Sequence, residues 1–176
     1  QELGATLIKT DNIAKSLFTI GCETYHAMVN YFGSGCLLAD KSINTAYIKD
    51  RIFNCYNEKK WLESLMHPQI HAVMQARIAD STNPICCVEI PLFFSRTRYH
   101  FLDHVVLIDC PINTQLHRIA QRDDLSYQQT LRILSTQPCK TSLYSMANVV
   151  ISNNKDLAHL KHRVTQTYCY YMNNGA

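Results

Sequence analysis

Val105-Val106-Leu107-Ile108-Asp109-Cys110-Pro111 is an apolar run closed by an acid and a proline, and residues 112–121 behind it space their apolar side chains as a helix does. A short apolar run without polar alternation reads as a strand buried on both faces, and such strands belong to parallel sheets covered by helices. The same grammar recurs on both sides. Upstream, residues 85–90 follow Pro84 as a buried strand, and residues 5–8 after Gly4 as a weaker one; downstream, residues 148–151 form another. Helical spacing fills the intervals at 11–18, 23–31 (closed by Gly33 and Gly35), 43–53, 58–78 and 127–135. A C-terminal helix carries Leu157, Leu160, Val164, Tyr168 and Tyr171 on one face. Ser126 and Gln129 have the spacing of a capping box. Pro68 interrupts the longest helical stretch and predicts a kink or break near His67. Strands alternating with helices predict an α/β chain, a three-layer parallel sheet with helices on both faces. Ligands in such sheets sit beyond the C-terminal strand ends, here residues 9–11, 91–94, 109–111 and 152–154.

The chain has 176 residues, 47% of them hydrophobic, enough for one domain with a core and a small lid. Charged residues make up 18%, below the roughly 25% of an average globular chain, which argues against wholesale disorder. A net charge of +3, with no run of Lys or Arg, gives no footprint for nucleic acid. No apolar run approaches the ~20 residues needed to span a bilayer, and no signal-peptide core opens the chain. The expectation is a soluble, cytoplasmic protein without a membrane partner. Because the sequence starts at Gln1, its beginning is expected to be cut or processed. Eight cysteines occur without a CxxC pair, so free and largely buried thiols are expected rather than disulfides or a zinc site.

Asp11 follows a strand and precedes a helix, where a carboxylate can act as general base on a substrate hydroxyl or simply cap the helix. Arg118 and Arg122 stand i, i+4 on one helix and can clamp phosphates, or can join Asp123 and Asp124 in a solvated charge cluster. His67 and His71 share that spacing, as do His100 and His104, but Pro68 disturbs the first pair, and no metal site is expected. Cys86 and Cys87, on opposite faces of one strand, read as small core residues. The nearest lookalike of a phosphate loop, Gly35-Cys36-Leu37-Leu38-Ala39-Asp40-Lys41-Ser42, has Asp40 in place of the second glycine and no strand leading into it, so it is rejected.

Landmarks along almost the whole chain resemble the dephospho-CoA kinase family. They are Leu3-Gly4 leading to Ile8 and Asp11-Asn12-Ile13-Ala14-Lys15; Arg51-Ile52-Phe53; Trp61-Leu62 with His67-Pro68-Gln69-Ile70; Ile90-Pro91-Leu92; Gln115-Leu116-His117-Arg118 with Gln121-Arg122-Asp123; Gln137; and Val150-Ile151-Ser152-Asn153. The resemblance implies a P-loop nucleotide-kinase-like fold with a helical acceptor-binding part at about 20–80 and a lid at about 118–147. It implies phosphorylation of the ribose 3′-hydroxyl of dephospho-CoA with ATP and magnesium. Asp11 matches the family's base. Arg118 and Arg122 match lid-side arginines, and Lys140 stands where the family has a lid Arg, keeping the charge without the fork. His67 falls on the acceptor side and Asn153 on the nucleotide side.

Other positions depart from the pattern. Lys9 replaces the first Asp of the Asp-x-Asp motif, Thr45 an Arg, Ser95 an acid, Leu143 a basic residue and Asn148 an Asp. The family's opening strand and Gly-rich loop have no counterpart in these residues. The expectation is therefore a first strand and P-loop missing, an N-terminally incomplete and inactive kinase, poor folding and possible self-association. A degenerate relative that binds a CoA-like nucleotide or a protein is the alternative.

Overall fold

The computed structural model describes residues 1–174. Each apolar run becomes a four-residue strand: β1 (Thr6–Lys9), β2 (Cys86–Glu89), β3 (Val106–Asp109) and β4 (Val149–Ser152). The helices are α1 (Thr10–Ser16), α2 (Glu23–Phe32), α3 (Thr45–Asn54), α4 (Tyr56–Ala79), α5 (Ile112–Asp123), α6 (Tyr127–Ser135), α7 (Lys140–Met146) and α8 (Leu157–Asn174). Among the described residues both strand ladders are parallel, as an α/β chain requires, and an isolated antiparallel bridge joins Leu37 and Ile43. Among the described residues the ladders form two pairs, β1 with β2 and β3 with β4. The chain divides into two compact units, one running from Ala5 to Pro91 together with Gln1, the other from Leu92 onward together with Glu2–Gly4.

The first unit joins β1 and β2 in the register Lys9↔Glu89 and places its core among helices. Tyr25, Met28, Ile48, Leu62 and Met66 close around Cys36 and Ile43, with Met28 and Cys36 at 0% exposure. Gly33 ends α2 at φ +74°, a left-handed conformation that costs L side chains energy, while its N–H donates to Val29 O at 2.9 Å. Asn44 caps α3, its Oδ1 accepting from Tyr47 N at 3.1 Å. Arg51 on α3 grips the buried Glu58 at the start of α4, Nε donating to Oε2 at 2.8 Å. That hydrogen bond, together with the Arg51 charge, outweighs burial and holds the Glu58 carboxyl below the usual range.

Of the kink or break expected near His67, the break is absent: α4 runs for 24 residues with Pro68 inside it. An interior proline costs one backbone hydrogen bond and a clash. Here the helix is held on both sides of that defect, by buried Leu62 and Met66 before it or beside it and by Met74 after it. The rejected loop lookalike is a 3-10 turn at Ser34–Cys36 followed by a bridge between Leu37 and Ile43, with Asp40 Oδ1 accepting from Ser42 N at 2.9 Å. It follows α2 rather than a strand.

In the second unit β3 and β4 pair in the register Asp109↔Ser152, and Ile151 is buried at 2% exposure. Asn148 clasps the entry to both strands, its Oδ1 accepting from Val105 N and its own N–H donating to Val105 O, each at 2.8 Å. The capping box opens α6 as expected: Ser126 Oγ accepts from Gln129 N, and Gln129 Oε1 accepts from Ser126 N. Ser126→Ala is expected to cost about 1 kcal/mol, read from a denaturant midpoint, and an unchanged midpoint would remove the cap from the account. The apolar face expected on α8 is partly covered: Leu160, Tyr168 and Tyr171 are half-buried, whereas Leu157 is 66% and Val164 38% exposed.

All eight thiols are free, but only Cys36 and Cys110 are buried, and Cys87 lies exposed rather than in a core. The neighbouring N–H groups of Thr141 and Ser142 and the Thr141 hydroxyl hold exposed Cys139 below the usual thiol range, while burial pushes Cys36 and Cys86 up. Iodoacetamide near neutral pH is expected to label Cys139 ahead of Cys36 and Cys86, by peptide mass mapping; equal labelling would contradict the assignment.

Candidate active site

Strand β1 hands over to α1 without a loop, so the C-terminal end of the β1–β2 pair and the first turn of α1 coincide. Lys9 therefore takes the N-cap position that the sequence suggested for Asp11, and Asp11 moves into the first turn. The junction is tied down by Thr10, whose hydroxyl donates to Glu89 O at 2.9 Å, and by Ile13, buried at 0% exposure. Lys9 Nζ lies 3.8 Å from Glu89 Oε2, both side chains about half exposed, a surface pair of small energetic weight. Asp11 is exposed, and its carboxylate has no hydrogen bond or ion pair among the described residues. An uncommitted carboxylate at the end of a parallel strand can accept a proton from a bound hydroxyl. His67 stands half-buried on α4, the helix against which α1 packs.

The second unit gathers a different set at the end of β3. Arg118 on α5 donates from Nη1 to Asn153 O at 2.8 Å, and Asn153 N donates to Asp109 O at 2.7 Å. From α7, Lys140 Nζ donates to Asp109 Oδ1 at 2.7 Å and to Cys110 O at 2.6 Å. Tyr144 OH donates to Asp109 Oδ2 at 2.7 Å. Burial raises the Asp109 carboxyl, but the bonds from Lys140 and Tyr144 and the ammonium charge outweigh it, so the group is held below the usual range. The structure thus brings Arg118, Lys140 and Asn153 to one strand end. Arg122 is not part of that group. It makes a two-pronged pair with neighbouring Asp123 at 2.7 and 2.8 Å and is the solvated cluster weighed above.

Two residues of this set, Asp109 and Tyr144, were not singled out from the sequence. Asp109 was visible as an acid at a strand end, but its partners lie on a helix the pattern did not reveal. Among the described residues no three His, Cys, Asp or Glu side chains gather to hold a metal ion. No described helix is long and apolar enough to cross a membrane.

The family model for dephospho-CoA kinase matches residues 1–159. The chain belongs to the dephospho-CoA kinase family. It is 36% identical over 171 residues to a dephospho-CoA kinase of Legionella pneumophila (strain Paris), covering 97% of this chain and 85% of that protein. It is 31% identical to one from Coxiella burnetii over 97% of this chain and 86% of that protein. Among solved structures, dephospho-CoA kinase from Campylobacter jejuni matches with a TM-score of 0.70 and 28% identity over 99% of this chain and 89% of its own. A Thermus thermophilus protein shares the fold, with a TM-score of 0.80 at 18% identity over 96% of this chain and 86% of its own. These kinases do not bear out the expectation of a missing strand and phosphate loop.

Proposed function

We propose that this chain is a cytoplasmic kinase that transfers the terminal phosphoryl group of ATP to the ribose 3′-hydroxyl of dephospho-CoA, with Asp11 as the base. The observation that carries the reading is the exposed carboxylate of Asp11, without a partner and fixed at a strand end by the Thr10 anchor, in a chain of this family. As the 3′-hydroxyl attacks phosphorus, its O–H bond weakens and Asp11 takes the proton. Phosphoryl transfer otherwise relies on positioning and on charge placed against the phosphate oxygens. Arg118 and Lys140 supply such charge at the β3 end, and Asn153 contributes the carbonyl that orients Arg118. Arg122, one helical turn beyond Arg118 and engaged by Asp123, joins only by exchanging that partner for phosphate. His67 would line the acceptor side. Magnesium accompanies ATP in this reading, and an ion held mainly by the phosphates and water needs only one or two carboxylates rather than a dedicated cluster.

The test is direct. The protein is incubated with ATP, magnesium and dephospho-CoA, and ADP release is followed together with the appearance of a 3′-phosphate by phosphorus NMR. Formation of CoA supports the reading. Calorimetric binding of dephospho-CoA without turnover would replace it with a degenerate binding protein, and neither binding nor turnover would end both.

A further inference from the structure

Lys140 carries three N–H donors, and the structure accounts for two of them. One goes to Asp109 Oδ1 at 2.7 Å and one to Cys110 O at 2.6 Å. The third is left, on a side chain that is 37% exposed. Lysine is a flexible point charge that arrives at phosphate without the fixed fork of arginine. A carboxylate that grips it from the protein side removes part of that freedom, and freedom removed before binding is not lost on binding. Asp109 is suited to the task. It ends β3, its own backbone carbonyl accepts from Asn153 N, and its second oxygen is fixed by Tyr144 OH at 2.7 Å. Lys140 and Tyr144 lie four residues apart on α7, so one carboxylate holds both ends of a helical turn.

We propose that Asp109 is a positioning residue, which with Tyr144 aims the remaining donor of Lys140 at an oligophosphate. The idea rests on the kinase reading for its biological ligand. Its arrangement of charges also makes a prediction for a bare polyanion. The three charged or polar side chains act as one device: Asp109 fixes the ammonium, Tyr144 fixes Asp109, and only Lys140 touches phosphate.

Inorganic tripolyphosphate is titrated calorimetrically into the full chain and into the variants Asp109→Asn, Lys140→Met, the double variant and Tyr144→Phe, with a thermal melt on each. Lys140→Met and Asp109→Asn are each expected to weaken binding about tenfold, the size of one charge-assisted hydrogen bond. The double variant is expected to bind no more weakly than either single one, because the two act through the same contact. Tyr144→Phe, which removes only the hydroxyl, should weaken binding by a smaller factor and keeps the test open if Asp109→Asn does not fold. Where turnover is measurable, the loss appears in KM for ATP and leaves KM for dephospho-CoA unchanged, a split that general loosening of the fold would not give.

Asp109→Asn binding within twofold of the parent overturns the proposal. So does a double variant that loses the product of the two single effects, or a parent chain that does not bind tripolyphosphate. Tripolyphosphate binding with the expected variant pattern but no CoA formation overturns the kinase reading and leaves this proposal standing.

Discussion

Asp11→Asn is expected to lower kcat by about 10²- to 10⁴-fold, with KM for ATP and for dephospho-CoA within a few-fold of the parent. Asparagine keeps the shape of the side chain and its place in the first turn of α1 but cannot take the hydroxyl proton. The substitution is well isolated from stability. Asp11 is exposed and is not the cap of its helix, and the junction it sits on is anchored by Thr10 and Ile13 instead. A thermal melt close to the parent's is therefore part of the expectation. If kcat stays within about threefold of the parent, Asp11 is not the base, and the weak helix-end role of an acidic residue near an N-terminus is all that remains to it.

Met28→Ala is expected to be the most costly single truncation in the helical cluster, about 2–5 kcal/mol by urea denaturation. Met28 has 0% exposure and lies with Tyr25, Cys36, Leu62 and Met66 in the one cluster that α2, α3 and α4 share. Removing its side chain takes away transfer energy and leaves a cavity that three helices would have to shift to fill. Against a whole-domain stability of about 5–15 kcal/mol, such a loss is large. Met172→Ala on α8, at 44% exposure, is the control and should stay within about 0.5 kcal/mol. Equal losses at both positions would mean that the cluster does not hold this part of the chain together.

The elements of the fold were legible wherever a single physical signal dominated. The runs at 105–109 and 148–151 are parallel strands within a residue of the expected bounds, but the burial on both faces expected of the first is not found, because Val106 and Ile108 leave one face of β3 exposed. The capping box at Ser126 was legible because two side chains and two backbone groups answer each other locally. Helix α7 was not legible. Seven residues, Lys-Thr-Ser-Leu-Tyr-Ser-Met, are shorter than the window in which a 3.6-residue period can be counted. The site followed the same rule. Asp11 could be singled out because a strand end lies in its own neighbourhood, although the residues alone left base and helix cap open and the base was what the family resemblance implied. The link between Asp109 and Lys140 spans 31 positions and runs through the helix that was missed. The pair Arg118 and Arg122 looked alike in sequence, and only the fold shows one turned to Asn153 and the other taken by Asp123.

The cluster around Met28 also sets a clock for the molecule. An amide proton exchanges with solvent only when its hydrogen bond opens, and the openings that expose a closely packed centre are the rarest. Helices α2 and α4 carry most of that centre's side chains, whereas β3 leaves Val106 39% and Ile108 48% exposed. In deuterated water the slowest amides should therefore come from the two helices, outlasting those of the strand on which Asp109 stands. The protein would then keep its most persistent memory of having been folded at a distance along the chain from the residues gathered at the end of β3, leaving the latter free to open and close many times within one lifetime of the core.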